Sequence, residues 1–142
     1  MPEGTVRGVL PCPLRLLPGD DLRGALVAFL RNSPHQAAFV AAGIGSLSRI
    51  ALRRAGSAHA ESREAAYELL TLSGTLAADG AHLHATVADT QGTVSGGHVG
   101  AGCIVRTTAE VLVLALPDTV FARVADPATG FRELAITAKR DR

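Results

Sequence analysis

The residues of this chain best suited to chemistry are His82 and His84, separated by Leu83, and His98, which follows Gly96-Gly97 fourteen residues after His84. Residues 81–88 alternate between polar and apolar. A strand there places His82, His84 and Thr86 on one face and Leu83, Ala85 and Val87 on the other. The next residues, Asp89-Thr90-Gln91-Gly92, suit a hairpin loop. Asp favours the first position of a type I turn, and Gly takes the left-handed conformation that closes a three-residue loop. With that loop Asp89 faces Thr93, Ala88 faces Val94, Thr86 faces Gly96, His84 faces His98 and His82 faces Gly100. Directly opposed residues hold their Cβ atoms roughly 4.5–5.5 Å apart, and His82 lies about 7 Å further along its strand, so three imidazoles can converge. A two-residue loop would turn His98 to the opposite face, because a slip of one residue inverts every side chain. The glycines at 96, 97, 100 and 102 also admit a bulge.

Three imidazoles suit zinc, nickel, copper or iron and leave coordination positions open, as in catalytic or ligand-binding zinc sites. A closed structural site would need a fourth protein ligand. Asp89, Glu110 and Cys103 are available for that role, and no spacing singles one out. The same pattern also describes an exposed polar strand face. No combination of nucleophile, general base and oxyanion donor can be assembled from the sequence, so a binding site is expected and a reaction is not assigned.

The elements that must position these residues follow from composition and periodicity. At 142 residues, with 47% apolar residues, 19% charged residues and a formal net charge of +1, the chain fits one domain spanning residues 1–142 with a single core. This balance excludes a disordered chain and gives no strong field for phosphate backbones. Apolar runs such as residues 111–116 are too short for a membrane span, and the first residues lack the charged-then-apolar order of a secretory signal. A cytoplasmic protein with no membrane partner is expected. Cys12 and Cys103 lack any Cys-x-x-Cys spacing and are expected to be reduced and structural.

Residues 1–13 are expected as a leader, and residues 14–17 as a short strand before the Pro18-Gly19 turn. Asp20 is expected to cap a helix whose apolar stripe comprises Leu22, Ala25, Leu26, Phe29 and Leu30, ending at Asn32-Ser33-Pro34. Residues 36–42 and 48–53 are expected as two strands joined by a turn at Gly43-Ile44-Gly45-Ser46. That string lacks the Lys-Ser/Thr of a phosphate-cradling loop. Residues 55–64 are expected as a loop, 67–76 as a central strand, 81–88 and 93–100 as the histidine hairpin, and 104–117 and 120–124 as further strands. Asp126-Pro127-Ala128-Thr129-Gly130 is expected to turn, 131–136 to return as a last strand, and 139–142 to form a frayed end. The predicted fold class is α+β: an antiparallel or mixed sheet with one principal helix packed on it.

Taken together, several strings resemble the plants-and-prokaryotes conserved domain, the PPC domain, over a core of about residues 15–134. They are Leu16-Leu17-Pro18-Gly19-Asp20-Asp21-Leu22, Gly43-Ile44-Gly45-Ser46-Leu47, Tyr67-Glu68-Leu69-Leu70-Thr71-Leu72-Ser73-Gly74-Thr75, His82-Leu83-His84 with Ala88-Asp89, Gly96-Gly97-His98, Thr108-Ala109-Glu110-Val111 and Thr129-Gly130-Phe131-Arg132-Glu133-Leu134. The resemblance implies an α+β fold that assembles as a homotrimer and occurs alone in prokaryotes and behind AT-hook segments in land plants. It also implies a site for zinc or another divalent transition metal at His82, His84 and His98. Glu110 is a candidate second-shell residue or general base. Arg106 and Arg123 are candidates to hold a small anionic ligand or to pair with carboxylates across a subunit boundary.

The alternatives implied are a protein-partner assembly module and, from the family's usual label, DNA binding. The AT-hook core Arg-Gly-Arg-Pro is missing from the sequence. Its nearest string, Arg7-Gly8-Val9, offers one arginine where groove binding needs several contacts. Arg49, Arg53 and Arg54 form the only local basic cluster and are expected as a solvated edge.

Overall fold

Alternating burial along long strands and one capped helix account for the architecture. The computed structural model describes residues 8–140. They form β1 (Leu10–Leu16), α1 (Leu22–Arg31), β2 (Ala37–Arg53), β3 (Glu61–Ala77), β4 (Gly80–Ala88), β5 (Val94–Val99), β6 (Ile104–Ala115), β7 (Thr119–Ala125) and β8 (Arg132–Ala138). Six strands make one sheet in the order β1-β6-β2-β3-β4-β5, every ladder antiparallel, and β7 and β8 form a separate hairpin. The fold is α+β, and mostly antiparallel sheet.

The far end of β2 also pairs with β5, Leu52 with Val99 and Arg53 with His98. That pairing curls β2, β3, β4 and β5 into a partly closed barrel. Gly96 and Gly97 make the approach possible. A Cβ on Gly96 would stand 2.8 Å from the Ala85 carbonyl oxygen of β4, and one on Gly97 2.5 Å from the Arg53 carbonyl oxygen of β2. The two glycines serve neighbouring strands of the same chain.

Helix α1 lays Leu22, Leu26 and Leu30, each fully buried, onto the inner face of the sheet, where they join Val40, Leu47, Leu72, Leu83, Val105 and Val113. Its cap is Asp21 rather than the expected Asp20. The Gly24 N–H donates to Asp21 Oδ1, whereas Asp20 Oδ2 accepts from the Leu17 N–H and fastens the preceding turn. Asp21 Oδ2 also accepts from the Gly102 N–H at 2.6 Å, which ties the helix start to the β5–β6 turn. Losing a cap and a second, partly buried hydrogen bond at once, Asp21→Ala is expected to cost about 2 kcal/mol in urea unfolding. A change under ~0.5 kcal/mol would show that neither bond contributes.

Three other expectations are corrected. The two strands expected at 36–42 and 48–53 are one continuous strand, β2, and Gly43-Ile44-Gly45-Ser46 is not a turn. Its glycines allow close packing: a Cβ on Gly43 would press on Leu72, and one on Gly45, at φ +156°, would overlap the Thr108 carbonyl oxygen of β6. The expected leader contains β1 from Leu10 onward, with Pro11 and Pro13 tolerated because β1 lies at the sheet's margin. Residues 1–7 of that leader and 141–142 of the tail lie outside the described residues. The loop expected at 55–64 is shorter, since β3 begins at Glu61. Besides the main core, Ala37, Ala77, Leu116 and Phe121 form a small cluster under the β7–β8 hairpin.

Candidate metal centre

The hairpin register agrees with the one the turn chemistry predicts. Asp89 and Thr93 close the loop: the Asp89 N–H donates to the Thr93 carbonyl, the Gly92 N–H to the Asp89 carbonyl, and Gly92 holds φ +78°. Ala88 pairs with Val94, Thr86 with Gly96 and His84 with His98. The expected pairing of His82 with Gly100 does not form, because β5 ends at Val99 and the Gly100 N–H donates to the Ala51 carbonyl of β2. The barrel closure therefore takes over where the hairpin stops.

His82 and His98 stack with ring centroids 5.0 Å apart and planes 13° from parallel, while His84 stands nearly perpendicular to both, at 4.9 and 4.4 Å. His82 Nε2 and His84 Nε2 are 3.1 Å apart, one ring carrying the proton the other accepts. One ligand nitrogen from each ring falls within 4.8 Å of the others. His84 is exposed, and His82 and His98 are half-buried.

This donor set fits a small divalent ion. Zinc bound to imidazole at about 2.0–2.1 Å in a tetrahedron separates neighbouring nitrogens by about 3.3 Å, close to the spacing of the His82–His84 pair. The three imidazoles would supply three of the ion's positions.

Burial lowers the pKa of His82 below its ordinary 6.5. Arg123, His84 and Arg53 push in the same direction, and Glu133 opposes them. Burial also lowers His98, followed by Arg53 and the two other imidazoles. Both rings are thus held neutral, the form that ligates a metal. Each folded pKa lies below its unfolded value, so the unfolded chain binds more protons just under pH 6.5. Stability of the chelator-treated protein should be level above pH 6.5 and fall as pH drops through 6.5 towards the folded values. Melting curves at stepped pH test this. The fall should shrink in a His82→Gln, His98→Gln variant, and an unchanged slope there would refute it.

Of the other expected site residues, only Arg123 reaches the cluster. Its Nη2 donates to Thr75 Oγ1 at 2.7 Å, and Thr75 is the register partner of His82. Glu110 sits on β6 between Arg15 of β1 and Ile44 of β2, with β2 and β3 separating it from β4. Arg106 is exposed on β6 next to Val105, which pairs with Leu47, six residues of β2 short of Arg53, or roughly 20 Å along the strand.

The basic cluster expected as a solvated edge is divided. Arg54 forms an exposed ion pair with Glu61, Arg49 is half-buried with its Nε unpartnered, and Arg53 faces His98. Sequence reasoning missed Arg53, whose place depends on the β2–β5 pairing. Both cysteines are free; Cys103 is buried, which pushes its thiol pKa up and keeps it protonated. Among the described residues, no helix is long and apolar enough to cross a membrane.

Comparison with known proteins extends these observations. Residues 4–117 match the Plants and Prokaryotes Conserved (PCC) domain. A hypothetical protein from Salmonella enterica superposes with a TM-score of 0.90 at 38% identity, covering 94% of this chain and 96% of the other. A metal-containing protein from Archaeoglobus fulgidus superposes with a TM-score of 0.72 at 26% identity, over 89% and 93%. The bifunctional protein GlmU of Synechococcus sp. (strain JA-3-3Ab) is 46% identical over 136 residues, which is 96% of this chain and 21% of that protein. The chain thus spans about a fifth of the length of the curated relatives it matches.

Proposed function

The chain belongs to the Plants and Prokaryotes Conserved domain family, and from that premise we propose that it is a metal-binding member, holding zinc or a similar divalent ion through His82, His84 and His98. One observation carries the reading: three imidazoles from one hairpin offer nitrogens within 4.8 Å of one another. The metal content of the Archaeoglobus relative supports it. The ion's open position makes the site one for a bound ligand. Titrating the chelator-treated protein with cobalt(II) tests the reading. Visible absorption of a low-symmetry cobalt complex should saturate near one ion per chain, and a protein that takes up no cobalt, zinc or nickel refutes it.

The working unit is a cytoplasmic homotrimer. Free cysteines suit a reducing compartment. Association is supported by the outer sheet face, where Phe39, Ile44, Leu70 and Leu112 are each more than a third exposed although they lie on long central strands. A patch of this kind marks a surface that another protein covers, and a second reading, in which the face recruits a different partner, draws on the same observation. Light scattering should give three chain masses for the parent and one for Ile44→Asp. A monomeric parent favours the second reading. With a net charge of +1, a nucleic-acid role gains no electrostatic support.

A further inference from the structure

The imidazoles share their face of the sheet with two guanidinium groups. Register partners in an antiparallel ladder carry their side chains to the same side. His98 is the partner of Arg53 across β5 and β2, and His82 is the partner of Thr75 across β4 and β3. Arg123 reaches from β7 to Thr75 Oγ1, so a guanidinium flanks the cluster at each end, Arg53 beside His98 and Arg123 beside His82.

Neither arginine is consumed by a carboxylate. Among the described residues, ion pairs join Arg54 to Glu61 and Arg132 to Asp79. Arg53 spends one N–H on the Ser57 carbonyl and Arg123 one on Thr75, which leaves several of the five donors on each fork unused. Glu133 of β8, the register partner of Val124, is the carboxylate next to Arg123 across the β7–β8 hairpin. With a divalent ion on the imidazoles, two guanidiniums and one carboxylate leave a net charge of +3 around an open coordination position. An arrangement of this kind selects anions.

We propose that this face binds a phosphate group, with one oxygen on the histidine-held ion and others on Arg53 and Arg123. The inference rests on the metal reading above. A carboxylate has two oxygens, enough for the ion and one guanidinium. A tetrahedral phosphate has oxygens for all three and, as a dianion, comes closer to cancelling the charge. Planar guanidinium forks match phosphate oxygens in pairs, and the Thr75 bond fixes Arg123 in place before anything binds. The phosphate group can be free or the end of a small monoester.

Calorimetry on the full chain, loaded with one equivalent of zinc and freed of excess ion, tests the proposal with three probes: inorganic phosphate, glycerol phosphate and acetate. Phosphate should bind the parent at least tenfold more tightly than acetate. Arg53→Gln and Arg123→Gln should each weaken it at least tenfold while zinc content and melting temperature stay at the parent's values, and Arg123→Lys should recover part of the loss. Equal binding of glycerol phosphate assigns the site to monoesters, and its exclusion assigns it to free phosphate; each outcome supports the proposal. A zinc-loaded parent that ignores phosphate, prefers acetate, or binds phosphate equally well in both glutamine variants overturns it and leaves the metal reading intact. If the parent takes no zinc, the metal reading fails separately. Phosphate binding by the ion-free chain that disappears in both variants then upholds the arginine pair, and no binding overturns it.

Discussion

His84→Ala together with His98→Ala should abolish the proposed metal binding and leave the fold standing. His84 is exposed and His98 half-buried, and neither belongs to the core that Leu22, Leu47, Leu72 and Leu83 build beneath the sheet. The strands that carry them are held by backbone ladders on β3 and β2 that need no imidazole. Alanine at partly exposed strand positions costs about 1 kcal/mol or less in total. The proposed ion, by contrast, would keep one protein ligand, and its affinity should fall at least a hundredfold. Elemental analysis of parent and variant, with unfolding curves on both, checks this directly. A variant that melts like the parent and still carries the ion would relocate the site away from the hairpin.

The largest loss of stability should come from a glycine. Gly74 of β3 holds φ +151°, and a Cβ there would overlap the His82 carbonyl oxygen and stand 2.8 Å from the Leu83 Cα of β4. Backbone of a neighbouring strand cannot swing aside as the end of a side chain can, so Gly74→Val must either break the ladder or stay unfolded. A loss of more than about 3 kcal/mol is expected in urea unfolding. Gly92, at φ +78° in the hairpin loop, serves as the control. Nothing lies within 4 Å of its would-be Cβ, and Gly92→Ala should cost about 1 kcal/mol from conformation alone. Similar losses at both sites would mean that φ, and not the contact between β3 and β4, sets the penalty at Gly74. Because that contact is also what seats His82, any folded Gly74 variant should bind metal poorly.

The parts legible in the sequence are those decided by neighbours along the chain. Asp89 to Gly92 are four residues of one turn, and they determine that His84 opposes His98. The leucine stripe of α1 and its stop at Asn32 are equally local. What stayed illegible depends on residues far away. Gly43 and Gly45 look the same whether they bend a chain or let strands touch, and Leu72 and Thr108 decide between the two. Arg53 reads as one more surface cation until β5 closes onto β2 and sets His98 beside it, 45 residues on. Glu110 is the converse case: its string is noticeable, yet β2 and β3 stand between it and His82 and His84, and β2 between it and His98.

Pro11 and Pro13 occupy alternate positions on β1, whose far flank no described strand covers. Alternate residues of a strand direct their amides to the same side, so these two rings remove consecutive donors from the edge that another chain would have to pair with. A growing fibril adds strands through such edges, and here it meets one missing two successive amide protons while the opposite end of the sheet is partly folded back on β2. The association proposed for the face rich in exposed leucine, isoleucine and phenylalanine can therefore proceed side-on without the chain also polymerising edge to edge.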